Sequence, residues 1–297
     1  LRLRRDVFRQ SSIGALFAGR SASTVADGAN QTLGLDASFS LFQDVYLDGY
    51  YAVTRTPGLS DDDRSYQGSF NYESDLWGVA LRHLRVGENF NPEVGFLRRR
   101  GFRETVASAR FSPRPTSIEA IRKFTFQADM NYLEHAKERF LESRQGQARF
   151  QIEFESSDLF DLTYTDSYEF LDKDFRVGGG ATIPPGKYAF RDVGVDFGLG
   201  LQRWYSGTLG VQHGTFYGGN KTTVALRGGR SMLRSGSWFP RHSELALVIC
   251  DPCTTDQSGW DGAIDLRDQA RKQMLLHTAE PDLKFEIGEI EKLRPRL

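Results

Sequence analysis

The sequence predicts an all-β fold: an antiparallel β-barrel of the transmembrane type, incomplete over this chain and followed by an atypical C-terminal tail. Three observations predict it. Apolar and polar side chains alternate over many runs of roughly ten residues, the period of a strand whose two faces meet different surroundings. Aromatic residues make up 12% of the 297 residues and glycine occurs 30 times, a composition suited to strands and turns. Several of the polar faces are too polar for a dry interior. Gln147, Arg149, Gln151, Glu153 and Glu155 oppose Gly146, Ala148, Phe150, Ile152 and Phe154, and only water accommodates such a set.

The pattern is set by Leu33 to Val53. Leu33, Leu35, Ala37, Phe39 and Leu41 share one face, a turn follows at Gln43-Asp44, and Val45, Leu47, Gly49, Tyr51 and Val53 resume it. Before it, Leu1 to Asp6 is a basic lead-in, Val7 to Ala18 reads as a first strand, and Gly19 to Asn30 as a loop. Thr56-Pro57-Gly58 and Asp61 to Asp63 form an exposed connection, with the three carboxylates solvated rather than holding calcium. Tyr66 to Glu73 and Trp77 to Leu81 are further strands, and Phe102 to Phe111 is another that ends at Ser112-Pro113-Arg114-Pro115. Phe124 to Tyr132 and Gly146 to Phe154 alternate most cleanly. Phe160 to Tyr164, Val193 to Leu201, Tyr205 to His213 and Thr222 to Gly228 follow, with a long loop over Gly178 to Gly186. Because run boundaries blur, these give ten or eleven strand candidates. The barrel domain is placed at 1–237 and the atypical tail at 238–297. Within the tail, Glu244 to Cys250 is a short apolar run and Ile264 to Leu276 reads as a helix.

Charge and cysteine content exclude several classes of function. A net charge of -1 provides no field to draw nucleic acid, so none is expected as a partner. Two cysteines cannot organise the fold through disulfides, and Cys250 and Cys253 lack the context of a redox or zinc site. No apolar run is long enough for a transmembrane helix, which leaves a strand-built membrane protein untouched. The chain starts at Leu1 without a methionine or a leader pattern, as a fragment or processed product would.

No constellation of residues marks a reaction. The histidines are scattered without metal-ligand spacing, and no metal or cofactor is expected. Gly214 to Gly219 before Asn220-Lys221-Thr222 resembles a phosphate loop only in composition, since strand residues follow where a helix is required, and it reads as a hairpin turn. The pairs Glu153/Glu155 and Asp192/Asp196 share polar faces, but read as lumen-lining groups paired with cations such as Arg149 rather than as catalytic carboxylates. No catalytic residue is assigned. The least generic stretch is Gly87 to Leu97, followed by Arg98, Arg99 and Arg100. From it Glu88, Asn89, Asn91, Glu93 and Arg98 are the candidate ligand-binding residues, because amide and carboxylate groups can satisfy sugar hydroxyls. The competing reading makes this segment a turn that fixes the shape of the barrel.

Glu88-Asn89-Phe90-Asn91-Pro92-Glu93-Val94-Gly95-Phe96-Leu97, with Phe111-Ser112-Pro113-Arg114-Pro115, Ile13-Gly14-Ala15-Leu16-Phe17 and Thr56-Pro57-Gly58-Leu59-Ser60, resembles the barrel part of domain of unknown function family 5916. The resemblance covers roughly Leu1 to Leu233. It implies a Gram-negative outer-membrane barrel, found in that family after a module similar to carbohydrate-binding family 9, and it carries no catalytic residues over. The expected partners are the lipid bilayer and a small polar solute, a saccharide among the candidates, and the expected location is the cell outer membrane. The expected role is passage or capture of that solute. The alternatives are a secreted β-rich protein that binds or hydrolyses glycans, and a membrane anchor for a sugar-binding module.

Overall fold

A computed structural model describes residues 1–176, 182–200, 202–203, 205–217, 219–230 and 243–251. The protein is all-β, and its main sheet has 14 antiparallel strands in which each strand pairs with its sequence neighbours. In order these are β1 (Arg2–Phe8), β2 (Ser11–Arg20), β3 (Asn30–Leu41), β4 (Val45–Arg55), β5 (Arg64–Glu73), β6 (Trp77–Val86) and β7 (Phe102–Phe111). They continue as β8 (Ile121–His135), β9 (Leu141–Phe154), β10 (Leu159–Leu171), β13 (Gly186–Leu199), β14 (Tyr205–Phe216), β15 (Gly219–Arg230) and β16 (Ser243–Asp251). A two-stranded ladder, β11 (Phe175–Arg176) with β12 (Thr182–Ile183), lies in the connection between β10 and β13. Among the described residues no ladder joins β1 to β16, so the sheet is open there.

The register shows why the alternation was so regular. Paired residues share a face, and Leu35↔Tyr51, Tyr51↔Tyr66, Leu81↔Ala107, Ala107↔Met130, Phe126↔Phe150, Phe150↔Leu162, Leu162↔Val195 and Val195↔Val211 carry one apolar face across the sheet. The opposite face carries Asp36↔Tyr50, Ser69↔Arg82, Gln127↔Arg149, Arg149↔Thr163 and Asp196↔Gly210. A one-residue slip anywhere would exchange the two faces, and none occurs between β3 and β7. Among the described residues no second layer of strands or helices covers either face. Among the described residues the buried apolar side chains are Val86, Phe90, Ala136 and Ile183, whereas Leu35 is 64%, Leu209 52% and Leu226 56% exposed.

The two ends of the sheet differ. One end, here the turn end, has connections 9–10, 42–44, 74–76, 112–120, 155–158 and 200–204; the other, the loop end, has 21–29, 56–63, 87–101, 136–140, 172–185 and 217–218, among them the two longest, 87–101 and 172–185. At the turn end a single carboxylate ties two neighbouring hairpins together. Asp158 accepts the Gly200 N–H at 2.9 Å, the Ser156 hydroxyl at 2.8 Å and the Arg203 Nε at 2.9 Å. Gly200 is required there, because a Cβ would lie 2.9 Å from both the Ser156 and Ser157 carbonyl oxygens. The Arg203 guanidinium and the two other donors hold the Asp158 carboxyl well below the usual range.

Several sequence expectations need correction. The first strand, read over Val7 to Ala18, is two strands with a turn at 9–10. The basic lead-in pairs as β1 because Arg2 finds Asp36 on the polar face and Leu3 lies opposite Ala15. Gly214 belongs to β14 and Gly219 to β15, so the hairpin turn is narrower than Gly214 to Gly219. The strand count of ten or eleven falls short of the 14 in the sheet, and β16 continues the sheet past residue 237. The helix expected over Ile264 to Leu276 lies outside the described residues, as do Cys253 and the end of the chain.

Asp158→Asn removes the charge that both hairpins share. Amide exchange at Gly200 is expected to accelerate by about tenfold or more at pH 7, with Ser167→Ala on β10 as an unaffected control; hydrogen exchange read by NMR or mass spectrometry checks this.

Candidate functional site

The candidate residues gather at the loop end, where connections 21–29, 56–63 and 87–101 close over β3, β4 and β5. Local sequence dictates the close approach. Gly87 follows β6 directly, and a Cβ on it would meet the Asp62 carbonyl oxygen at 2.0 Å, so only glycine lets the two loops touch. Asp61 and Asp62 both take positive φ, at 60° and 50°, and the two carbonyls and the Asp62 carboxylate accept from Asn89 and Glu88 in the 87–101 segment.

Asn91 is buried, and its polar groups are each occupied. Its N–H donates to Thr54 Oγ1 at 2.9 Å, its carbonyl accepts Asn30 Nδ2 at 2.8 Å, its Nδ2 donates to Glu93 Oε1 at 3.3 Å, and its Oδ1 accepts from Arg100. Glu93 is held as tightly, by Ser23 Oγ at 2.6 Å and by the Thr24 N–H and hydroxyl, each at 3.0 Å; Arg20 lies 3.9 Å away. Its side chain is only 4% exposed. Those donors, Ser23 first, hold its carboxyl below the ordinary value of 4.5.

Asn89 donates from Nδ2 to the Ser60 and Asp61 carbonyls, at 2.7 and 2.9 Å. The Glu88 N–H donates to Asp62 Oδ2 at 2.9 Å, and the Glu88 carboxylate lies 3.4 Å from His135 Nε2. Asp62 also pairs with Arg85, so it is not the freely solvated carboxylate expected from the acidic run. Burial pushes the Asp62 carboxyl up, and the Glu88 N–H and Arg85 outweigh this and hold it below its usual range. Arg98 stands apart on the exposed part of the loop. Four of the five candidates thus meet in one cluster, each bound to groups of the chain itself.

The sequence did not single out Asn30, Thr54 or Ser65, which are fully buried at the centre of this cluster. Asn30 bridges two loops, donating to Thr56 Oγ1 and to the Asn91 carbonyl, both at 2.8 Å, while its Oδ1 and the Thr32 hydroxyl are buried without a partner. An asparagine or threonine that opens or closes a strand beside a polar loop was the available signal. No group of three or more His, Cys, Asp or Glu able to hold a metal is present among the described residues.

The polar face of the sheet is the second place where polar groups converge. Arg149 makes a two-pronged pair with Asp161, which also accepts Gln151 Nε2 at 2.9 Å. Arg82 pairs with Glu104 at 2.9 Å, Asp129 accepts Gln127, and Asp192 accepts Gln212 at 2.6 Å. Asp196 lies opposite Gly210 without a carboxylate partner across a cleft, and Glu153 is paired with Arg122 at 2.8 Å. The arrangement offers hydrogen-bond donors and acceptors along a face but no pair of carboxylates poised for acid-base chemistry. Comparison of the chain with protein-family models, with curated proteins and with solved structures finds no match.

Two outcomes follow for the cluster. Asn91→Ala leaves the Arg100 guanidinium without its amide acceptor and removes one of the donors to Glu93, and is expected to destabilise the loop end by about 1–3 kcal/mol, read as a lower unfolding midpoint and faster proteolysis within 87–101. Because the folded carboxyl of Glu93 titrates below its ordinary 4.5, its contribution is complete above that pH and is lost as pH falls through the depressed folded value. Proteolytic protection of 87–101 should therefore be flat from pH 8 to about 5 and decline below that, and Glu93→Gln should remove the decline.

Proposed function

We propose that this protein is an outer-membrane β-barrel, or the greater part of one, whose apolar face meets lipid and whose polar face lines a path for a small polar solute such as a saccharide. One observation supports the location: an apolar face that continues through the sheet with no layer of the described residues over it. A water-soluble fold buries such a face, since each Leu, Val or Phe left in water forgoes about 1.5–3 kcal/mol. A bilayer supplies the missing apolar surroundings, and closure into a barrel satisfies the backbone groups at the sheet edges. Strand lengths, mostly 10 to 15 residues, suit a tilted membrane-spanning strand. The two longest connections, 87–101 and 172–185, lie at the loop end, and because long loops face outward in such barrels this assigns the loop end to the outside.

The polar face supports a role toward a hydroxyl-rich solute, because amide, carboxylate and guanidinium groups there can exchange their mutual hydrogen bonds for those of a sugar. A second reading, an anchor that displays a sugar-binding module, is favoured by the saturation of Asn89, Asn91 and Glu93 with partners from the chain itself.

Expression behind a bacterial signal peptide should place the protein in the outer membrane with a gel mobility that changes on boiling; recovery as a soluble, heat-insensitive protein would contradict the reading. Met130→Arg, in the middle of the apolar face, should cost about 2–4 kcal/mol of folding stability in lipid, whereas Gln127→Arg on the polar face should be tolerated. Flux of small sugars through reconstituted protein separates the solute path from the anchor, which predicts none.

A further inference from the structure

The charged residues on the apolar face are not scattered. From β4 to β13 that face carries no Asp, Glu, Lys or Arg toward the turn end, and each strand places at least one such group toward the loop end. Six of these are arginines, Arg55 on β4, Arg64 on β5, Arg85 on β6, Arg103 on β7, Arg144 on β9 and Arg191 on β13, and the intervening β8 and β10 place Glu134 and Asp166 among them. The register aligns them, with Val53↔Arg64, Tyr66↔Arg85, Arg85↔Arg103, Tyr132↔Arg144 and Asp166↔Arg191. Tyr66 and Tyr132 stand beside the row. The turn-end margin of the same face is aromatic instead: Trp77, Phe111, Phe126 and Phe150 stack in sequence at 4.4, 6.3 and 5.0 Å.

Carboxylates neutralise only part of the row. Asp62 pairs with Arg85, Glu134 lies 4.0 Å from Arg103, and Asp166 is shared between Arg144 at 2.6 Å and Arg191 at 3.1 Å. Arg64 is 63% exposed and touches Asp63 only at 3.8 Å, and Arg191 is 73% exposed. Arg55 and Lys187, both exposed on the same face, reach no carboxylate among the described residues. The row keeps an excess of positive charge on a protein whose net charge is -1, with Arg55, Arg64 and Arg191 exposed and Arg85 and Arg103 only 16% and 19% exposed.

We propose that this arginine row is a docking surface for the phosphate groups of anionic lipid headgroups in the leaflet at the loop end. The proposal rests on the bilayer reading above and adds which leaflet, and which headgroup chemistry, the protein selects. Guanidinium forks match phosphate oxygens in pairs, and their stems lie along the apolar face while the heads reach the headgroup layer. Attraction of basic side chains to an anionic leaflet is strong near the surface and screened by salt. The aromatic margin at the other end has no such preference, so the asymmetry also fixes orientation.

The test uses the protein reconstituted in phosphatidylcholine vesicles containing spin-labelled lipid, with electron spin resonance reporting the lipid held at the protein surface. Spin-labelled phosphatidic acid should be preferred over spin-labelled phosphatidylcholine by about fivefold or more at low salt, and the preference should shrink at 1 M NaCl. Combining Arg55→Gln, Arg64→Gln and Arg191→Gln, all exposed positions, should bring it close to unity, and the corresponding lysine substitutions should retain most of it. Lipid held at the surface without preference, or a preference unchanged in the glutamine variant, would overturn the docking surface and leave the bilayer reading standing. Absence of any held lipid would overturn both.

Discussion

Everything in this structure depends on a face of apolar side chains that no other part of the described protein covers. In an ordinary domain a sheet of this kind is stabilised by a second layer, and core side chains of both layers interdigitate. Here the polar face is covered only where the loops close over its loop end, burying Asn30, Thr54 and Ser65, and elsewhere it carries ion pairs and amide contacts between adjacent strands. Stability must therefore come from the backbone ladders and from whatever medium lies against the apolar face. That single constraint explains the regular register, since a slip of one residue would put Arg149 and Asp161 into that medium.

The loop end replaces a hydrophobic core with hydrogen bonds. Asn30, Thr54, Asn91 and Glu93 lie where loops cross, and nearly every polar atom they carry is matched by another part of the chain. Such a cluster is stable only when complete, because each partner removed leaves a buried group unsatisfied. The 87–101 segment is accordingly best regarded as a strut that holds the loops together, with Arg98 left on its outer side. On the proposed role, this turns attention from the loop to the polar face of the sheet as the place where a solute would be met.

The architecture was readable because alternation is a local signal. Leu33 to Leu41, Phe124 to Tyr132 and Val193 to Leu199 display their faces within one run, and the structure pairs them as the pattern requires. The first strand escaped because Arg2, Arg4, Arg5 and Asp6 mask the alternation in β1 and only pairing with β2 reveals it. The loop cluster was only half readable. Glu93 and Asn91 stood out in composition, yet Glu93 meets a serine 70 residues away, and no local pattern announces that contact. The arginine row was invisible for the same reason. Each arginine is one unremarkable residue at the end of its own run, and only the register brings six of them into line.

The most direct test of the central claim is a depth-resolved accessibility scan of the protein in vesicles. Single nitroxide labels at Leu35, Asp36, Phe126, Gln127, Val195 and Asp196, in a background with both native cysteines replaced by serine, report collision with oxygen and with a water-soluble nickel complex. The account predicts alternation: Leu35, Phe126 and Val195 favour oxygen, and Asp36, Gln127 and Asp196 favour nickel. Equal access of the nickel complex to all six positions would contradict it.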